Sequence, residues 1–100
     1  MKLHQVLNAL GRELSADIFE IINDNRTKTE NRKRTRMMDM WHMKFNRAME
    51  QVQDQYSKNV IKAYRKMIDS NVLKMSIEDD CKMIYTICKM MQDVKEGDWL

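Results

Sequence analysis

Proline is absent from this chain of 100 residues, and glycine occurs only as Gly11 and Gly97. Tight β-hairpins draw on Gly, Pro, Asn-Gly or Asp-Gly turn chemistry, and none of those dipeptides is present. Phosphate-cradling loops are excluded for the same reason, because their backbone must approach the ligand at several glycines. No apolar run approaches the roughly 20 residues needed to cross a bilayer. Met1-Lys2-Leu3-His4-Gln5-Val6 turns polar too early for a signal peptide. A cytoplasmic location without membrane attachment is the expectation, or host-cell cytoplasm or nucleus for a viral protein.

Histidine and cysteine are equally scarce. His4 and His42 are far apart, and Asp39 with His42 makes only two ligands on one helix face, so no metal or other cofactor is expected. Cys81 and Cys88 are seven residues apart in a helical segment, about 10 Å along its axis. A disulfide needs Cα atoms within about 7 Å, so the pair cannot bridge, and both read as small apolar residues on one helix face. Buried thiols stay protonated and inert, which removes the obvious nucleophiles. Glu78-Asp79-Asp80 is explained by its place at a helix start, where carboxylates oppose the positive end of the helix dipole. The chain is not expected to be an enzyme.

What remains is helical periodicity. The expected fold class is all-α, a small bundle of four to five helices with a long or bent central helix, in a single helical domain over 1–100. Leu3, Val6, Leu7, Leu10 and Leu14 share one face. Gly11 is expected to end that helix and Ser15 to cap a second, giving helices 2–10 and 16–24 with Ile18, Phe19, Ile21 and Ile22 turned inward. Residues 25–31 hold nothing apolar, and Thr27 or Thr29 is placed to cap the next helix. From 30 to 69 no breaker intervenes. Met37, Trp41, Phe45, Ala48, Val52, Tyr56, Val60, Ala63 and Met67 form one seam, with a bend expected near Ser57-Lys58-Asn59 on length grounds. Asn71, in the turn that follows, can take a left-handed conformation. Ser76 with Asp79 is a capping box, and Ile77, Cys81, Ile84, Cys88 and Met91 continue as an apolar seam toward Gly97, placed to stop the helix. Trp99 is expected to dock on the core.

The net charge is only +3, but it is unevenly placed. Residues 26–36 carry Arg26, Lys28, Arg32, Lys33, Arg34 and Arg36 against a single acid, while residues 1–25 and 70–100 are each net −2. Lys58, Lys62, Arg65 and Lys66 make a second basic set on one side of a helix. Guanidinium forks and ammonium groups in such clusters suit phosphate. The leading expectation is therefore a non-enzymatic binding or regulatory protein that contacts nucleic acid through this segment and helix face, without base-specific readout. The bland alternative is a solvated helix start.

Methionine is the most abundant oddity, with 11 residues. Met37, Met38, Met40 and Met43 surround Trp41 and point several ways around a helix, so one core cannot cover them all. Ordinary core filling accounts for most of them. The remainder suggests a protein interface, either a homodimer or a small inhibitor or adaptor of virus or phage type. Such an adaptor would dock on a host protein or nucleoprotein complex, through this surface or the basic patch.

Overall fold

The computed structural model describes residues 1–24, 29–70 and 76–98, and it is all-helical over them. Four helices follow in order: α1 Leu3–Ile22, α2 Glu30–Glu50, α3 Gln55–Asp69 and α4 Ile77–Gln92. α1 packs chiefly on α4 and then on α2, and α3 leans on α2 with a lighter contact to α4. The body measures 42 × 21 × 20 Å. Arg26, Lys28, Asn71 and Trp99 fall outside the described residues.

The two short helices expected at the start are one. Gly11 is buried inside α1 because α4 crosses it closely: a Cβ built there would stand 2.6 Å from the Cys88 carbonyl oxygen. Ser15 does not cap a new helix. Its hydroxyl donates back to the Gly11 carbonyl at 2.9 Å, and Gln92 Nε2 donates to that carbonyl (3.3 Å) and to Ser15 Oγ (3.0 Å). Glycine and serine here are contact residues between helices. They do not punctuate the chain.

The long central segment divides, but at 51–54 and not at Ser57–Asn59. Asp54 caps α3, its carboxylate accepting from the Ser57 N–H at 2.8 Å, and that bond holds its pKa below the ordinary carboxylate value. Val52 turns inward in the connection, 4% exposed. The chain doubles back, so Asp69 at the end of α3 reaches Trp41 in mid-α2, accepting the indole N–H at 3.0 Å. The restart changes which face is inward. Ser57, Val60, Ile61, Tyr64 and Ile68 are buried, whereas Tyr56, Ala63 and Met67 face out.

The remaining caps follow local chemistry. Thr29 accepts from Arg32 N–H, and Ser76 from Asp79 N–H, each at 3.2 Å, with Glu78, Asp79 and Asp80 in the first turn of α4. α4 stops at Gln92, ahead of Gly97, which lies in the following turn with φ 93°. A side chain from the far end of the chain assists that stop. Asn8 Nδ2 donates to the carbonyl of Met91 (2.9 Å), an acceptor that the helix end leaves unfilled, and to that of Val94 (3.0 Å) just beyond the helix.

Candidate nucleic-acid interface

Three of the four described cations of the basic segment are engaged in the fold. Lys33 Nζ donates to the Ile22 carbonyl at 2.9 Å, satisfying the end of α1. Arg34 is 7% exposed and pairs with buried Asp80 at 2.8 Å. Arg36 pairs with Asp24, also at 2.8 Å, and keeps part of its side chain in solvent. Together they fasten the start of α2 to the end of α1 and the start of α4. Arg32 is exposed. The dense run of charge read from the sequence is thus partly a set of joints.

The second basic set is arranged differently. Val60, Ile61, Tyr64 and Ile68 anchor α3, leaving more than half its circumference outward. Lys62 and Lys66 are exposed, and neither forms an ion pair among the described residues. Lys58 is half-buried. Arg65 Nη1 donates to Asn46 Oδ1 at 3.3 Å, and its Nε stands 3.9 Å from Asp69 Oδ2. No carboxylate occurs from residue 55 to residue 68, so the stripe is cationic over its whole length and closed at its ends by Asp54 and Asp69. Steps of four residues put about 6 Å between successive cations, Lys58 to Lys62 to Lys66.

Asp69 is itself held from α2. Besides the Trp41 indole, its Oδ1 lies 3.2 Å from His42 Nε2. Its Oδ1 is therefore oriented toward α2, while Oδ2 is the oxygen that faces the Arg65 guanidinium.

The Met–Trp set is split. Met37 and Trp41 are each 2% exposed and belong to the core, Met38 and Met40 pack against it half-buried, and Met43 is 53% exposed on the outer face of α2. A feature the sequence reading missed lies between α1 and α4. Phe19, expected inward, is 52% exposed and meets Tyr85 edge-to-face at 5.3 Å, beside a shallow groove also lined by Ile18 and Ile22. Its position one residue after Ile18 puts it off the buried face of α1, a signal that helical phase alone could have given.

Both cysteines are free and buried, and burial pushes each thiol up to about 11. At pH 8 that leaves about a hundredfold less thiolate than an ordinary cysteine has. Iodoacetamide should accordingly leave the native protein unlabelled on a timescale that fully alkylates it in denaturant, as read by intact mass. Fast single labelling of the native chain would show that one thiol is accessible.

Among the described residues there is no group of three or more His, Cys, Asp or Glu side chains that could hold a metal ion. Nor is any described helix long and apolar enough to cross a membrane. Comparison with protein-family models, with curated proteins and with solved structures finds no match to the chain.

Proposed function

We propose that the chain is a non-enzymatic binding protein that contacts nucleic acid through the outer face of α3, by neutralising phosphates. The observation that carries this reading is the stripe Lys58, Lys62, Arg65 and Lys66, anchored on a packed helix with no carboxylate between 55 and 68. Anchoring the helix fixes where each cation is rooted, so the backbone needs no ordering on binding, and each phosphate met releases counterions from the polymer. Arg32 supplies a further exposed cation on α2. Arg34 and Lys33 act mainly by holding the helices together.

The reading is tested by titrating labelled nucleic acid with the protein and with a Lys62→Glu, Lys66→Glu variant. Both positions are exposed, so the variant should melt like the parent. Its affinity should fall by more than about tenfold at low salt. Unchanged affinity in a folded variant would remove α3 from the interface. Absence of binding at low salt would leave a protein partner as the role to pursue, with Met43 as the accessible member of the Met–Trp set.

A further inference from the structure

We infer that the polymer taken by α3 is double-stranded, an identification that rests on the cationic-stripe reading above. Proteins that hold single strands set aromatic side chains among their cations, because each base gains by stacking on a ring. The outward arc of α3 presents Gln55, Lys58, Asn59, Lys62, Ala63 and Lys66, none of which is a ring. Tyr64 turns inward at 6% exposure, and Trp41, beneath Asp69, is 2% exposed. Tyr56 is exposed, but two residues from Lys58 places it about 160° around the helix from that cation. A further ring, His42, is partly exposed but tied to Asp69 at 3.2 Å, beyond the end of the lysine row. A base bound along Lys58, Lys62 and Lys66 would therefore find no ring among the outward residues of that row.

The cations are also rooted at fixed intervals. Val60, Ile61 and Ile68 hold α3 by its buried face, so the backbone positions of Lys58, Lys62 and Lys66 are set over about 12 Å. A stiff duplex already has its phosphates in place, one charge per roughly 1.7 Å of axis, and meets such an array without being ordered first. A flexible single strand would lose conformational freedom with no stacking to offset the loss. Two of the polar side chains beside the cations are turned toward each other: Gln55 Nε2 donates to Asn59 Oδ1 at 2.8 Å. Recognition is therefore of paired phosphate strands. Asp54 and Asp69 at the two ends limit the contact to about four phosphates.

The count gives a slope. For four contacts on duplex DNA, log affinity against log salt should fall with a slope of about −3.6, a loss of roughly 150-fold between about 50 and 200 mM. The experiment uses the full chain with a short duplex DNA, the matching duplex RNA, and each separated strand. Anisotropy is followed across that salt range. The expected result is that duplex binds at least about tenfold tighter than its own strands. The duplex slope should also shrink by about 2 in a Lys62→Gln, Lys66→Gln variant. A duplex preference that appears only with RNA still supports paired strands and identifies the helical form. Single strands binding as tightly as duplex, with the variant weakening both, would overturn the inference while keeping α3 as the interface. No binding to any of the polymers would overturn both.

Discussion

Replacing Asp80 with alanine is expected to cost about 3–5 kcal/mol, roughly half the stability of a domain this size. Arg34 and Asp80 are both almost fully buried and meet at 2.8 Å, joining the second turn of α2 to the first turn of α4. Two charges removed from water offset each other's desolvation across this joint, and deleting one takes the nearest counter-charge from the other. The expected size of the loss is therefore set by the Arg34 charge that is left behind. Arg34→Met alone should be similarly damaging. The double replacement Arg34→Met, Asp80→Leu should recover most of the loss, since apolar pairs of similar volume often match or exceed a buried ion pair. Urea midpoints for the three variants decide the matter. Single losses below about 1 kcal/mol would mean that water reaches the pair and screens it.

The second large effect belongs to Gly11. In a solvent-facing helix, glycine to alanine stabilises by about 1 kcal/mol, so a reading of α1 alone predicts a gain. Across the α1–α4 contact the sign reverses. The new Cβ would lie 2.6 Å from the Cys88 carbonyl oxygen, and 3.1 Å from both Gln92 Cγ and Met91 Cβ. A backbone oxygen cannot rotate away as a side chain can, so the helices must separate. Overpacking of this kind costs about 1–3 kcal/mol. Gly11→Ala should lower Tm by several degrees, and Gly11→Val by more, as read by thermal melting with circular dichroism. A higher Tm for the alanine variant would show that α4 can move aside at little cost.

Gly11 also shows where the sequence was legible and where it was not. Apolar spacing correctly indicated an all-helical chain, the inward face of α1 at Leu7, Leu10 and Leu14, and the α4 seam at Cys81, Ile84, Cys88 and Met91. Caps at Thr29 and Ser76 were readable because their chemistry is local. Gly11 and Ser15 misled because a break signal and a close-approach signal use the same small residues, and only the partner helix tells them apart. The α2–α3 division was missed at Asp54, whose cap signal lies inside a run that stays in helical phase as far as Val52. Once the chain restarts, that phase no longer applies, which is why Tyr56 and Met67 point outward. In the candidate interface, residue type was legible and employment was not. Arg34 and Lys62 look alike in sequence, yet one is buried opposite Asp80 and the other stands in solvent.

The reach of Asn8 to the carbonyls of Met91 and Val94, and of Gln92 to Gly11, ties the first helix to the last. During synthesis this sets a delay. Gln92 is made 81 residues after Gly11, which at about 5–20 residues per second is roughly 4–16 s. Through that interval Leu7, Leu10, Leu14 and Ile18 have no α4 to cover them. A chain truncated within α4 should consequently behave as an aggregation-prone fragment, and the nascent protein is exposed to chaperones and proteases until α4 has been made.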